Sequence, residues 1–260
     1  MKGSTRQIDN EAIWAEVAEK FLNECKAAVD RVKRDPKFDR TDSNYHLLSM
    51  LDRYTLETQN YWSRLSGLLS DVQKVEVMIR RFPDSKYLLK NGVDQIDYIK
   101  YHMEVLYHKL SSILDVMRLM VAHVYQLNLS PENCSYKNVK KHLPETDNFV
   151  IRLLDNYNDS FENMIKARHL NTHRALYKDS RADEIGLFLK ISREAQRLGI
   201  KFPEDRNSRI EKVLLPYQLK ALRKDKLKMI RDCYKVAENY IEYFMLTALS
   251  EWQKRWMIRK

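Results

Sequence analysis

The sequence predicts an all-α protein, an antiparallel bundle of long helices. Three observations predict it. Apolar residues recur at helical spacing along most of the chain, one segment keeps a seven-residue repeat from Ile96 to Leu127, and only 5 Gly and 6 Pro punctuate 260 residues. So few breakers leave room for few turns and favour long helices over many short strands. With 44% hydrophobic residues, the chain can bury a substantial core.

Taken in order, the first helix is expected from Asp9 or Asn10, either of which can cap it. Ile13, Val17, Phe21, Cys25, Ala28 and Val32 form its apolar stripe, Asp35-Pro36 ends it, and the polar residues to Ser43 read as a linker. A second helix is expected over 44–81, where Leu48, Leu51, Trp62, Leu65, Leu69, Val72 and Ile79 follow a heptad with polar gaps. Phe82-Pro83-Asp84 stops it, and Asn91-Gly92 marks a loop. The third helix, about 94–128, is the most regular. Ile96, Met103, Leu110, Met117 and Val124 hold one heptad position, and Ile99, Leu106, Ile113, Met120 and Leu127 the other. Tyr107, Leu114, Val116 and Val121 widen this face beyond a two-helix seam, which favours a bundle over a coiled coil.

Ser130-Pro131-Glu132-Asn133 breaks the chain, and a short basic segment, Tyr136 to His142, precedes Pro144. Helix returns near Thr146, with Val150, Leu153, Leu154, Tyr157, Phe161, Met164 and Ile165 on one face leading to Arg168. A further helix should run from near His173 to Leu198, stopped by Gly199. After the turn at Phe202-Pro203, a last stripe joins Ile230, Cys233, Ala237, Ile241, Phe244, Ala248, Trp252 and Trp256. Lys254, Arg255, Arg259 and Lys260 at its end complement the helix dipole, so the segment reads as a packed terminal helix rather than a membrane- or RNA-binding surface.

Several function classes drop out. Cys25, Cys134 and Cys233 stand far apart, without zinc spacing or a disulfide framework. His102 and His108 are six apart and do not stack on a helix face, and no Glu-x-x-His pair suggests a di-iron bundle. No glycine-rich phosphate loop is present, and no cofactor or metal is expected. Met1 to Gln7 is polar, so no signal peptide is expected, and no apolar run suits a membrane span; the expected compartment is the cytoplasm. The formal net charge of +10 favours anionic partners such as RNA.

One segment carries chemistry: Arg168-His169-Leu170-Asn171-Thr172-His173. Arginine and histidine five apart recur at Arg118 and His123, and Arg40 with His46 fits a looser spacing. Arg118-Leu119 lies within the regular third helix and reads as helix surface or edge. The segment at Arg168 differs: a polar His169 follows the arginine, and the helical stripe falters there. On a straight helix five residues diverge by roughly 140°. A break at Leu170–Thr172, with Asn171 or Thr172 capping a new helix, would let the two side chains converge and would offer free N–H groups to a phosphate.

This Arg-His-x3-His pattern is similar to the signature of the HEPN superfamily, all-α domains of toxin–antitoxin, abortive-infection and CRISPR-associated ribonucleases. Leu106-Tyr107-His108-Lys109 through Ile113-Leu114-Asp115, then Tyr136-Lys137-Asn138-Val139, resemble the helix and loop before the motif in several bacterial members. The resemblance implies a HEPN-like helical core at 44–200, between an N-terminal helix and linker (1–43) and a C-terminal helical extension (201–260). It also implies metal-independent cleavage of single-stranded RNA by 2′-OH attack, with Arg168 and His173 catalytic. His169, Asn171 and Asp115 would support the site or bind RNA. A homodimer that pairs two motifs, a toxin or defence role, and an antitoxin protein as partner follow from it too. Some members carry a tyrosine two residues after the histidine; here that position is Ala175, and the first tyrosine is Tyr177, so regulation through that tyrosine is not implied. A non-catalytic helical module that binds protein or RNA remains the alternative.

Overall fold

The computed structural model describes residues 4–82, 86–143, 148–173, 179–199 and 215–259, without the side chains of 4–13, 148, 169–173, 193 and 196. Among them are eight α-helices and no strand. They are α1 (Ser4–Arg34), α2 (Met50–Arg80), α3 (Lys86–Lys90), α4 (Gln95–Val124), α5 (Tyr136–His142), α6 (Asn148–His173), α7 (Ser180–Arg197) and α8 (Leu215–Arg259). The chain is all-α, as the spacing and the scarcity of breakers predict.

The residues form two compact units. The first comprises 1–67, 112–160 and 238–260, and the second 68–111 and 161–237. In the first unit α1 and α2 run antiparallel, because Phe21 meets the Trp62 ring while the later Arg31 meets the earlier Asp52. Phe21 also packs edge-on against Trp252 of α8, with ring centroids 4.7 Å apart, so α1, α2 and α8 share one aromatic core. In the second unit α2 and α4 are antiparallel by the same logic, Asp71 pairing with Lys109 and Met78 lying against Tyr98.

Helix α4 fills the role its heptads predict. Nine of the ten heptad residues are buried, and so are Tyr107, Leu114, Val116 and Val121. A face this broad is what a bundle core requires.

Boundaries differ from expectation where the polar chain has its own structure. Helix α2 begins at Met50 rather than Asn44. Asn44 is buried with φ 53°. Its side chain accepts from the Asp39 N–H at 2.9 Å and donates to the Asp42 carbonyl at 2.8 Å. The presumed linker is thus a closed loop leading into a 3-10 turn at Tyr45–Leu47. Helix α1 begins earlier than Asp9, at Ser4. Helix α4 stops at Val124 and accounts for all four of its last carbonyls. Val121, Ala122 and His123 accept from the N–H groups of Tyr125 (2.9 Å), Leu127 (2.9 Å) and Gln126 (3.1 Å). Val124 accepts from the buried Tyr54 hydroxyl at 2.9 Å. This is a Schellman ending in which Gln126, at φ 54°, occupies the left-handed position glycine usually takes. Helix α3 ends the same way on a glycine, Gly92 at φ 77°.

Candidate active site

Arg168 lies half-buried on α6 in the second unit. Its Nη1 donates to the Oγ of Ser111 on α4, a side chain only 3% exposed. A hydroxyl buried on the stable α4 face gives the guanidinium a fixed anchor, and a charge-assisted bond of this kind restricts a long side chain to one direction. Nothing in the sequence pattern singles out Ser111. Its only signal is a polar residue inside an apolar heptad face.

The helix does not break at Leu170–Thr172. Helix α6 continues to His173, and α7 begins at Ser180, not near His173. The cap of α7 is Asp179, whose Oδ1 accepts from the Ala182 N–H at 3.1 Å and whose carboxylate is ion-paired with Lys226. The expected phosphate-binding helix terminus at Asn171 or Thr172 is therefore absent, because continued helical hydrogen bonding along α6 leaves no free N–H groups there. On the one continuous helix, positions 168 and 173 stand roughly 140° apart around the axis. The side chains of His169, Asn171 and His173, and the residues Ala175 and Tyr177, lie outside the described residues.

Asp115 sits one turn beyond Ser111 on α4, in the part of that helix belonging to the first unit. Spacing by four puts Ser111 and Asp115 on one face of α4. The Asp115 carboxylate is ion-paired with Arg118.

The pair Arg118–His123, read as helix surface or edge, lies half-buried at the edge of the α4 core face. His123 keeps only 15% of its side chain exposed. Its Nε2 lies 3.0 Å from the Tyr54 carbonyl and its Nδ1 3.3 Å from Glu57. The Tyr54 and Tyr61 rings stand 5.2 and 5.5 Å from the imidazole. Tyr54 and His123 thus bridge α2 and α4 reciprocally: the hydroxyl of one caps α4, and the ring of the other meets the α2 backbone. The seven-residue spacing of Tyr54 and Tyr61 on α2 was the available signal, since it stacks both rings on one helix face. Burial pushes the Tyr54 and Tyr61 hydroxyls above the usual phenol range.

Among the described residues of the second unit, ion pairs join separate helices. Lys109 pairs with Asp71 at 2.7 Å, Lys100 with Asp183 at 2.5 Å and Arg231 with Glu76 at 2.7 Å. Among the described residues no three His, Cys, Asp or Glu side chains converge as metal ligands, and no helix is long and apolar enough to cross a membrane.

The profile of the Cthe2314-like HEPN family matches residues 58–213, more than half of the chain. That span includes Arg168, His173, Ser111 and Asp115. No curated protein and no solved structure matches the chain.

Proposed function

Because the chain belongs to the Cthe2314-like HEPN family, we propose that it is a metal-independent endoribonuclease that cleaves single-stranded RNA at the Arg168–His173 motif. The observation that carries this reading is the motif's place. Arg-His-x3-His lies within the matched span on α6, with the Arg168 guanidinium tethered to the buried Ser111 hydroxyl.

The chemistry needs two groups. The ribose 2′-OH attacks the adjacent phosphorus, the 5′-oxygen leaves, and the strand ends in a 2′,3′-cyclic phosphate. His173 moves the proton, as an imidazole can near neutral pH. Arg168 neutralises the added phosphorane charge with paired N–H donors. His169, Asn171 and Asp115 orient the strand or the arginine.

The continuity of α6 through the motif bears on assembly. Two helix positions roughly 140° apart are most simply made to serve one phosphate by a two-fold dimer placing two motifs in one cleft. The surplus of basic residues suits RNA in such a cleft. A toxin or defence effector in the cytoplasm, restrained by an antitoxin protein, is the cellular role this chemistry fits.

The test is cleavage of a labelled single-stranded RNA in EDTA. Activity should persist, leave a 2′,3′-cyclic phosphate and spare the 2′-deoxy substrate. His173→Ala should reduce turnover by ~10²–10⁴-fold, and Arg168→Ala should also weaken RNA binding. Mixing the two inactive variants should restore part of the activity if the dimer joins the motifs. Equal cleavage by His173→Ala, or a strict need for Mg²⁺, would remove the assigned roles. RNA binding without cleavage would instead favour the non-catalytic module.

A further inference from the structure

The first half of α8, Leu215 to Ala237, belongs to the second unit and begins beyond the family-matched span 58–213. Leu222, Ile230, Cys233 and Ala237 bury one side of it. The opposite side carries charge of one sign. Each residue turns the helix by roughly 100°, so Tyr217, Lys220, Lys224, Lys228, Arg231 and Lys235 fall within one arc of roughly 80°. No other residue from 217 to 235 falls in that arc, which therefore holds five cations, one aromatic ring and no acid. All six side chains are exposed, Tyr217 by 69%. From Lys220 to Lys235 the stripe is about 22 Å long, at 1.5 Å per residue.

A solvated helix face ordinarily mixes both signs and is steadied by pairs one turn apart. Along this arc such pairs are missing. The acidic residues of the stretch, Asp225 and Asp232, stand outside it, and Asp225 is taken by Arg181 at 2.6 Å. Among the described residues Lys220, Lys224, Lys228 and Lys235 have no carboxylate partner. Arg231 shares Glu76 with Arg80 of α2, at 2.7 and 2.5 Å, so two guanidinium groups meet one carboxylate and a positive charge is left over. Like charges one turn apart destabilise a helix, and a bound polyanion removes that cost.

Helix α8 also anchors the segment that holds the motif. Met164, one turn before Arg168 on α6, meets the Cys233 thiol at 3.8 Å, and Asp179, beyond the motif, is ion-paired with Lys226. The segment from Met164 to Asp179 is thus pinned to α8 at both ends. Those two points, 226 and 233, stand about 10 Å apart along the helix, and Lys228 and Arg231 lie between them.

We propose that this stripe is a track for the backbone of single-stranded RNA, holding the part of the strand that flanks the cleaved bond. The lysines meet successive phosphates, and the Tyr217 ring stacks on a base at the far end. A single row of cations suits a linear polyanion. An anionic bilayer needs a broad basic face, and an acidic peptide offers the ring no flat base. The inference rests on RNA as the substrate of the Arg168–His173 site, and it makes α8 the element that favours strands extending past that site.

Fluorescence anisotropy of a labelled 2′-O-methyl oligouridine long enough to span the stripe reads binding apart from catalysis, because this strand lacks the nucleophile. The full chain should bind it, and log Kd should rise with log salt between about 50 and 200 mM. Each single-strand phosphate contact contributes about 0.7 to that slope. Changing Lys220, Lys224, Lys228 and Lys235 together to Gln should therefore lower the slope by about 2.8 and weaken binding at least ~100-fold at about 50 mM. Either half of that set should lower it by about 1.4. Tyr217→Ala should weaken binding ~10-fold with the slope unchanged. Changing Lys137, Lys140 and Lys141 of α5 to Gln, a control of similar charge in the first unit, should move the slope by less than about 0.7, and His173→Ala should bind like wild type. In cleavage of a long strand the four-lysine variant should show a raised KM and an unchanged kcat, and it should cleave a dinucleotide like wild type. Circular dichroism checks that the variants are folded. The track is refuted if the folded four-lysine variant binds oligouridine like wild type, or if the α5 variant loses as much. It is also refuted if phosphatidylserine vesicles or polyglutamate bind the stripe more tightly than oligouridine does. Stripe-dependent binding without cleavage by wild type would sink the ribonuclease reading and keep the track; cleavage with binding that ignores the stripe would do the reverse.

Discussion

Removing one oxygen atom at Tyr54 should measurably weaken the whole fold. Tyr54 is 5% exposed and Val124 is fully buried, so water does not replace the hydroxyl if Tyr54→Phe deletes it. The ring remains, and with it the contacts to His123 and the α2–α4 packing. What is lost is the partner of the last α4 carbonyl, since the neighbouring carbonyls already use the N–H groups of Tyr125, Gln126 and Leu127. A buried carbonyl left unpaired costs about 1–3 kcal/mol. For a chain of this size each kcal/mol lowers the melting temperature by about 2–4 °C. The comparison is His123→Ala. The Tyr54 carbonyl that faces His123 keeps a second donor, the Thr58 hydroxyl at 2.8 Å, so the hydrogen-bond part of its cost is smaller. Urea titration followed by circular dichroism reads both. The midpoint of Tyr54→Phe should fall with an unchanged m-value. A loss below about 0.5 kcal/mol would refute the argument that the hydroxyl completes the α4 ending.

Three further outcomes follow from single residues. Burial raises the Cys25 thiol to about 12, the Cys233 thiol to about 11 and the Tyr136 hydroxyl to about 12. Each folded value lies above the unfolded one, so this stability is complete below about pH 9 and is lost as pH rises through 9–12. A urea midpoint that stays level across that window would contradict it. At the acid end, burial pushes Asp52 up, but hydrogen bonds from Arg31 and Ser49 outweigh it and hold the carboxyl below the usual range. That contribution is present above the ordinary aspartate value and disappears as pH falls through the folded one, so Asp52→Asn should flatten the acid limb of the stability profile. Ser111→Ala should leave Arg168 without its buried hydroxyl acceptor; RNA cleavage should drop about 10-fold if that tether positions the guanidinium, and unchanged kinetics would show that it does not.

Sequence alone determined the helical class, because periodicity and the shortage of Gly and Pro act locally and leave no competing strand pattern. It determined the buried face of α4 as well, since a heptad held from Ile96 to Val124 can be covered only by neighbouring helices. The motif from Arg168 to His173 was legible as residue types at a spacing, and so was the family resemblance that the profile match supports. Its local geometry was not. Asn171 and Thr172 are good caps, yet α6 runs through them to His173. Capping preference amounts to roughly 1 kcal/mol, and it acts against the one hydrogen bond per residue that an already nucleated helix gains by continuing. At Arg118–His123 the spacing placed the pair at a helix surface or edge, and it did not show that the half-buried imidazole meets the Tyr54 carbonyl and Glu57 of α2. No local pattern brings Tyr54 to a helix end 70 residues away. The same is true of the Arg168 tether to Ser111. Long-range pairing of side chains is set by how helices pack, and only the tertiary structure decides which polar groups of distant segments meet.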